Sequence, residues 1–586
     1  MNSYLYALMP QTLELQYASI VEACRRQSIG DVSIMAAVTG KLTAAPEALG
    51  RWRARLVADG FQVSAMVFAV GHPAMDAYYN ADGSLKKNPW YEGGLVGSGS
   101  GEMLAPLPRG WQYAVNEFGQ NVYCSACPNA AWREGNVRVV RELAGVFDVI
   151  WYDDEYRMDS DQWGGESLAS TACCYCDRCM AELGRELGRE ISRSHVLGEQ
   201  KVHEAWVARK VRMLADGWQA IAAAGRSVNA KLALGLMVRW GGEERDGLDL
   251  AKLLPVMVPE PLLRAGEGHF GAAEYAQPVS QVVEHLVTSY HVSWFPQPAV
   301  VRSETTYFTG MSPRQIMKKA VLALAAGAGQ LAYCPCVNQG VLYQQFIEAQ
   351  QTRLSQWATA LADKRNLAGI QIVRTPAAAM GDKDPGQRRL DRQPFPLLSL
   401  AGLCSHVVRA GSWREDSQAM VAVTGRSVWD WPWRVDGRLV LDGAALLEMA
   451  PVNRALGISQ AKQAAGGAVR FVGDGWEADG RLWCRGEQII IPVVWQEIPP
   501  ADMEAWLGEI RRVLSPLVDT YSVEGDLGVL PVQHHTPEGD VVLLVNLTDQ
   551  PRRVRLGRPA LARRDGGVLT LEPEEIRIIK LATATA

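Results

Sequence analysis

The sequence predicts an α/β protein in which a (β/α)8 TIM barrel occupies residues 1–360. Segments typical of buried strands alternate there with helical segments, and eight such strands favour a closed parallel barrel. A doubly wound open sheet also alternates, but it usually has fewer strands and a glycine fingerprint after the first, which this sequence lacks. The predicted strands are 32–37, 62–68, 121–123, 147–151, 232–237, 262–265, 299–302 and 330–333.

The part of the chain after the predicted barrel follows two further patterns. After Lys364 short strands are again followed by helical segments, as at 438–442 and 444–449, which predicts a flavodoxin- or glutaminase-like α/β domain over residues 361–525. From about Leu530 apolar residues alternate with period two, so residues 526–586 are predicted to form a small antiparallel β-sandwich domain. Within the barrel, helices are predicted at 47–58, 137–144, 203–223 and 313–326.

Composition and charge narrow the function classes. The 586 residues are 48% hydrophobic and 21% charged, as in a globular protein, and the net charge of -5 predicts neither nucleic acid nor an anionic membrane as a partner. The amino-terminal segment has no basic region followed by an apolar run, and no later run is long enough to span a membrane, so we expect a cytoplasmic protein. The 11 cysteines are clustered, which fits a reducing compartment, and no motif indicates an organic cofactor.

Three consecutive acidic residues end the fourth predicted strand: Asp153, Asp154 and Glu155. Charges at the carboxyl end of a buried strand are candidates for chemistry, and mutual repulsion raises one carboxyl pKa, as a general acid at neutral pH requires. Alternatively, one or two of them cap the next segment or pair with Arg157. Glu304 follows the seventh predicted strand, where the structural alternative is a bond to loop amides or to the neighbouring Arg302. Two rim carboxyl groups are what cleavage of a glycosidic bond needs.

A cysteine cluster lies just downstream of these acids. Cys174, Cys176 and Cys179 are spaced as C-x-C-x-x-C, which indicates a structural zinc ion held by thiolates. The alternative is three ordinary buried thiols. A fourth ligand is needed for a closed tetrahedral site, and Cys124, Cys127 and Cys173 are all near enough in the sequence to supply it.

Three segments resemble the β-galactosidases of glycoside hydrolase family 42. They are VYCSACPNAAWRE, then YDDEYR with the downstream CYCDRC, and then SETTYFTGMSPRQIMKKAVLALAAGAGQLAYCPC. The order of barrel, α/β domain and small β domain is also similar to that family. The chain further resembles barrel hydrolases that carry a DD[DE][FY]R motif at the fourth strand.

The resemblance implies roles for individual residues. It makes Glu155 the acid/base and Glu304 the nucleophile of a retaining enzyme that cleaves a β-galactoside-like oligosaccharide. It places the Cys-Pro-Asn segment on the third strand, selects Cys127 as the fourth zinc ligand, and implies a homo-oligomer, either a dimer or a trimer. One position departs from the family, because Asp154 stands where the family has Asn.

The departure at Asp154 leaves a second enzyme class open. An Asp-Glu pair resembles that of β-N-acetylhexosaminidases, in which the Asp orients a substrate N-acetyl group that acts as the nucleophile. Glu155 would then remain the acid, and Glu304 would only contact sugar. A non-catalytic sugar-binding barrel is the alternative outside the enzymes. Seven residues near predicted strand ends are candidates for substrate binding: Asp153, Arg157, Trp240, Glu267, His269, Trp294 and Tyr307.

Overall fold

The protein is analysed as a computed structural model. Asp154, Glu155 and Glu304 lie outside the part of the chain that it describes. The described residues are 3–38, 40–69, 107–116, 119, 121–153, 159–160, 171–172, 174–239, 247–257, 259, 262–266, 277–295, 300–303, 312–333, 341–361, 367–375, 395–409, 419–429, 437–448, 455–536, 538–557, 568–573 and 575–582.

Within these residues, eight parallel strands form a closed barrel, which confirms the predicted fold class. The first strand pairs with both the eighth and the second, so the sheet closes on itself. In chain order the barrel strands are Ser3–Leu8, Ile29–Val38, Gln62–Phe68, Val149–Asp153, Ala233–Arg239, Leu262–Gly266, Val300–Ser303 and Gln330–Tyr333.

The sequence-based prediction of the barrel strands contains two errors: one segment was wrongly placed in the barrel, and one barrel strand was missed. Strand Asn121–Ala126, predicted as the third barrel strand, instead pairs antiparallel with Tyr113–Val115. The first barrel strand is Ser3–Leu8, which was not predicted; a helix that begins at Pro10 follows it almost immediately. The two errors cancel, so that strands four to eight keep their predicted order.

Helices cover the outside of the barrel, and their sequences explain where they begin. Pro10, Pro46, Pro278 and Pro313 each occupy the first helical position, where the missing N–H costs nothing. Ser312 and Gln315 form a reciprocal capping box at the last of these. The main barrel helices are Pro10–Arg26, Pro46–Ala58, Ala130–Ala144, Asp177–Leu187, Gln200–Arg226, Pro278–Ser293, Pro313–Ala325 and Val341–Leu361, with shorter ones at Arg193–Gly198 and Leu250–Leu253.

The fourth strand shows which side chains face the barrel interior. Tyr152 packs against Trp218 of the outer helix Gln200–Arg226, with ring centroids 4.6 Å apart. Trp151, one residue earlier, therefore points to the opposite side, into the barrel. There Gly235 makes room for it, because a β-carbon at that position would overlap the Trp151 ring.

A second parallel sheet follows the barrel, as predicted for an α/β region. Its edge strand Ser405–Arg409 is covered by the barrel helix Pro278–Ser293, whose Ser289 and Ser293 hydroxyl oxygens accept the N–H groups of Val407 and Arg409 at 3.0 and 3.3 Å. In spatial order the described strands are Ser405–Arg409, Ile370–Arg374, Val421–Val423, Leu439–Asp442, Gln488–Ile491, Leu482–Arg485 and Glu477–Asp479, of which the last two are antiparallel.

This region also contains a β-hairpin and three described helices. Strands Ile458–Gln463 and Val469–Gly473 form an antiparallel hairpin. Helices lie at Leu397–Leu400, Gly443–Leu447 and Pro500–Leu514.

The carboxyl-terminal strands form two antiparallel sheets that share one apolar core, including Val523, Val529, Val542 and Leu556. Two short strands, Leu367–Ala368 and Ile370–Arg374, lie on either side of Gly369, where the chain turns at φ +130°. The first of them joins a carboxyl-terminal sheet and the second joins the parallel sheet. The domain boundaries at 360 and 525 stay a prediction. The sheets contain Leu367–Ala368, Val529–Thr536, Gly539–Asn546 and Ile576–Ala582, and Ser522–Gly525, Arg552–Gly557 and Leu569–Leu571.

Among the helices of the described residues, none is long and apolar enough to cross a membrane.

Candidate active site and metal centre

The structure brings the four predicted cysteines together. The Sγ atoms of Cys127, Cys174, Cys176 and Cys179 all lie within 4.8 Å of one another. Cys127 Sγ is 3.6 Å from Cys179 Sγ and 3.9 Å from Cys176 Sγ. Three of the four residues are buried and Cys176 is half-buried. This is one compact group of sulfur atoms, assembled from two segments about 50 residues apart.

Backbone hydrogen bonds of the hairpin Tyr113–Val115/Asn121–Ala126 hold the cluster in place. The Cys127 N–H donates to the Gln112 carbonyl at 2.8 Å, just after the second hairpin strand. The Val115 N–H donates to Cys174 Sγ at 3.4 Å, and the Tyr175 N–H donates to the Val115 carbonyl at 2.7 Å. The hairpin that was mistaken for a barrel strand therefore serves to dock Cys127 against the downstream cysteines. The predicted placement of the Cys-Pro-Asn segment on the third barrel strand was therefore wrong. Cys127 directly follows the hairpin, and the third barrel strand is Gln62–Phe68.

The helix Asp177–Leu187 places the other two sulfur atoms at its amino terminus. Cys176 is its N-cap residue, and Cys179 lies in its first turn. The positive end of a helix dipole favours thiolates there. Hydrogen bonds from Cys127, Cys174 and Cys179 lower the pKa of the Cys176 thiol. Hydrogen bonds of Cys127 with Cys174, then with Cys176 and Cys179, raise the pKa of the Cys127 thiol.

Side chains of the long helix Gln200–Arg226 fix the cluster from outside. Trp206 donates from Nε1 to the Cys174 carbonyl at 3.2 Å, and its ring stacks on Tyr175 with centroids 4.6 Å apart. Arg209 forms ion pairs with Glu182 and Glu186 of the cysteine-bearing helix. These contacts attach the segment that carries Cys174, Cys176 and Cys179 to the long helix.

The sulfur geometry fits a tetrahedral zinc ion. Four thiolates at a Zn–S distance of about 2.3 Å are separated from one another by about 3.8 Å. The observed separations of 3.6 and 3.9 Å lie on either side of that value. A closed set of four thiolates leaves no open coordination position, which is typical of a structural site and not of a catalytic one.

The cluster is connected to the strand that carries the predicted acids. Asp153 is the last residue of the fourth barrel strand. Between it and Cys174 the chain forms a short antiparallel pair, Asp159–Ser160 with Thr171–Ala172. Cys173 and eight of the predicted site residues lie outside the described part of the chain, namely Asp154, Glu155, Arg157, Trp240, Glu267, His269, Glu304 and Tyr307.

Trp294 lies elsewhere than the sequence reading expected. It follows the helix Pro278–Ser293 directly and so precedes the seventh barrel strand, at the end opposite the carboxyl rim. Its side chain is buried, with the Arg409 guanidinium carbon 4.8 Å from its ring centroid and Tyr290 at an edge-to-face distance of 6.1 Å. The structure thus gives Trp294 a packing role between a barrel helix and the second sheet.

Arg302 pairs with a residue that sequence reasoning missed. Its Nη2 donates to Asp31 of the second strand, and both side chains are buried. The guanidinium carbon lies 4.4 Å from the Tyr4 ring centroid and 4.2 Å from that of Trp151. A signal was available, because Asp31 and Arg302 are single charges inside otherwise apolar strands.

Comparison with known proteins shows the fold. No protein-family model and no curated protein matches the sequence. A family 42 β-galactosidase from G. stearothermophilus superposes with a TM-score of 0.65 and 12% identity, covering 100% of this chain and 99% of that chain. A cold-adapted β-galactosidase from a Rahnella species gives 0.62 and 13%, with coverage of 99% and 98%. An α-L-fucosidase from Paenibacillus thiaminolyticus gives 0.58 and 12%, with coverage of 95% and 92%.

The predicted resemblance to glycoside hydrolase family 42 is therefore confirmed as a distant one, at the level of the fold. It extends over nearly the whole chain, so the sheets after the barrel are included as well. The sugars in the neighbours' names differ, and the fold by itself selects none of them.

Proposed function

We propose that the protein is a retaining glycoside hydrolase that cleaves a β-galactoside-like oligosaccharide, with Glu155 as acid/base and Glu304 as nucleophile. The observation that carries this proposal is the contact between Trp151 and Arg302 across the barrel interior, 4.2 Å from guanidinium carbon to ring centroid. Both side chains point inward, one from the fourth strand and one from the seventh.

Strand periodicity extends this contact toward the carboxyl rim. Side chains alternate along a strand, so residues an even number of positions further on face the same side. Glu155 is four residues after Trp151, and Glu304 is two residues after Arg302. Continued alternation would direct both carboxyl groups to the barrel axis. Active sites of this fold are built at that end of the strands.

The two carboxyl groups would then work by double displacement. Glu304 attacks the anomeric carbon while Glu155 protonates the leaving oxygen, and a glycosyl ester of Glu304 forms. Glu155 next takes a proton from water, which attacks the same carbon and releases Glu304. A carboxyl separation of about 5 Å is required for this route. We propose Asp153, Asp154, Arg157, Trp240, Glu267, His269 and Tyr307 as the surrounding sugar contacts.

The Asp154–Glu155 pair keeps a second candidate function open, a β-N-acetylhexosaminidase. In that reaction the substrate N-acetyl group attacks the anomeric carbon and Asp154 orients it. Glu304 is then dispensable as a nucleophile. The two candidates therefore make opposite predictions for a variant at position 304.

We further propose that Cys127, Cys174, Cys176 and Cys179 hold a structural zinc ion. Support comes from the four convergent sulfur atoms and from their spacing. Bound zinc would supply a crosslink between the hairpin and the segment that follows the fourth strand. The thiolates and their helix would thereby hold the region of Glu155 in place without entering the reaction.

A panel of nitrophenyl glycosides tests the hydrolase proposal. We expect turnover of the β-galactoside, and a loss of about 10³-fold or more in kcat for Glu304→Gln and for Glu155→Gln. Azide should restore turnover to a Glu304→Ala variant with inversion of the product, because it replaces the missing nucleophile. Cleavage of N-acetylated sugars alone, with Glu304→Gln active, would select the hexosaminidase. Sugar binding with no turnover of any substrate would indicate a non-catalytic barrel.

A further inference from the structure

A buried cation connects opposite sides of the barrel interior. The side chain of Arg302 is 6% exposed and that of its partner Asp31 is 5% exposed. Burial of a charged pair is costly and is often no more stabilising than an apolar pair of the same size. The presence of this pair inside an apolar barrel therefore calls for a role other than stability.

The contacts of Arg302 reach three other strands. Its guanidinium carbon lies over the ring of Tyr4 on the first strand and over that of Trp151 on the fourth, and Nη2 donates to Asp31 on the second. Among the described residues, its Nε and Nη1 atoms make no hydrogen bond. Two ring faces and one carboxylate therefore set its orientation. A planar guanidinium can stack on both rings at once, which a lysine ammonium cannot do.

We propose that Arg302 is a positioning residue that fixes the separation of the Glu155 and Glu304 carboxyl groups. This inference rests on the two-carboxylate function proposed above. Trp151 precedes Glu155 by four residues, and Arg302 precedes Glu304 by two. A shift of the ring against the guanidinium would thus displace the ends of the fourth and seventh strands, Asp153 and Ser303, which are close in sequence to the two carboxylates.

The separation matters because it selects the reaction. About 5 Å allows direct attack by a carboxylate, whereas roughly 6.5–9.5 Å leaves space for a water and leads to inversion. A displacement of about 1 Å at a reacting group costs roughly 100-fold in rate. Loss of the Arg302 side chain should therefore lower kcat much more than it raises KM.

The chain offers a matched control for the loss of a buried ion pair. Lys319 and Glu284 pair at 3.3 Å with side chains 1% and 3% exposed, but they join two outer helices, Pro313–Ala325 and Pro278–Ser293. We compare the double variants Arg302→Met/Asp31→Asn and Lys319→Met/Glu284→Gln. Each variant removes both charges of its pair, so that neither member of the pair is left as a single buried charge.

We expect kcat of the Arg302→Met/Asp31→Asn enzyme to fall by about 100-fold with KM within roughly 3-fold of wild type. The control should keep kcat within about 3-fold, even where both variants lose similar thermal stability. Arg302→Lys, which keeps the charge and the Asp31 partner, should lose about 10-fold. Equal kcat values in the Arg302 variant and the control would overturn the proposal.

Crystal structures of both variants give a readout that does not depend on turnover. We expect the Glu155–Glu304 carboxyl separation to change by about 1 Å or more in the Arg302 variant and to stay unchanged in the control. An unchanged separation overturns the positioning role, whatever the activity. A wild-type enzyme that cleaves no glycoside overturns the proposed function instead, and the measured separation still decides the role of Arg302. If the double variant does not fold, kcat and the Glu155–Glu304 carboxyl separation are measured on the Arg302→Lys variant instead.

Discussion

Two buried junctions join distant parts of this chain, and they depend on opposite states of their titratable groups. The four-cysteine cluster joins the hairpin Tyr113–Val115/Asn121–Ala126 to the helix Asp177–Leu187 and fits a metal ion only when its thiols are ionised. The second junction holds His285, His406 and His534, all buried, where a barrel helix meets the parallel sheet and a carboxyl-terminal sheet. Burial there favours the neutral imidazoles of His285 and His406.

The histidine junction shows why neutrality is favoured. The pKa of His285 is lowered to about 4, first by burial, although a contact of Nδ1 with the Leu322 carbonyl at 3.1 Å opposes this. Burial likewise lowers the pKa of His406 to about 4, and the nearby His285 and His534 add to the effect. The proposed zinc ion would stabilise the cysteine junction, whereas protonation of His285 or His406 would destabilise the histidine junction, so the two should respond to different treatments.

Removal of the metal should produce the largest effect, and only at the cysteine junction. We expect about one zinc per wild-type chain by elemental analysis and none in a Cys179→Ser variant. Stability of the variant should fall by at least about 3 kcal/mol, since structural zinc sites contribute binding free energy directly to folding. Thermal unfolding with and without a chelator measures the same loss in the wild type.

Cys484→Ser is the matched control for this prediction, because Cys484 is a half-buried free thiol on strand Leu482–Arg485 and is not one of the four clustered cysteines. It should keep the zinc and the unfolding temperature of the wild type. If the Cys179→Ser protein also binds one zinc per chain with unchanged stability, the four cysteines do not hold a structural zinc ion.

The two junctions also differ in how far the sequence could predict them. The C-x-C-x-x-C spacing made three of the cysteines visible as one group, because ligands of one metal recur at short, regular intervals. His285, His406 and His534 lie on three elements and have no shared spacing, so only the fold brings them together. Asp31 and Arg302 are each visible in the sequence as a single charge in an apolar strand, but only the fold shows that they pair. The alternation of strands and helices predicted the barrel, but it could not distinguish strand Asn121–Ala126 from a barrel strand, since pairing direction leaves no local trace.

Acidification should weaken the histidine junction. The unfolded state binds protons on His285 and His406 below about pH 6.5, while the folded state does so only near pH 4. Stability should therefore fall as the pH decreases from 6.5 towards 4 and then level off with respect to these two groups, by up to about 3 kcal/mol for each. Denaturant unfolding at pH 7, 5.5 and 4.5 measures this slope.

Replacing one of the buried histidines by a residue that does not titrate tests whether it causes the loss of stability in acid. His406→Gln should flatten the dependence of unfolding free energy on pH between 6.5 and 4 by about half, although the variant is less stable at pH 7. His535→Gln is the control, because the side chain of His535 is 54% exposed. An equal slope in His406→Gln and wild type would show that the acid response arises elsewhere.

The smallest effect concerns the hydroxyl that attaches the barrel to the second sheet next to the histidines. Ser289 Oγ accepts the Val407 N–H at 3.0 Å on the outer edge of strand Ser405–Arg409, where Ser293 Oγ also accepts the Arg409 N–H. Ser289→Ala leaves that buried donor without an acceptor and should cost about 1–3 kcal/mol, whereas the exposed Ser459→Ala should cost less than about 0.5. Hydrogen exchange at Val407 should quicken in the first variant only, because the edge strand then opens locally without the barrel. An unchanged rate at Val407 would mean that packing of the helix Pro278–Ser293, and not this hydrogen bond, protects the edge.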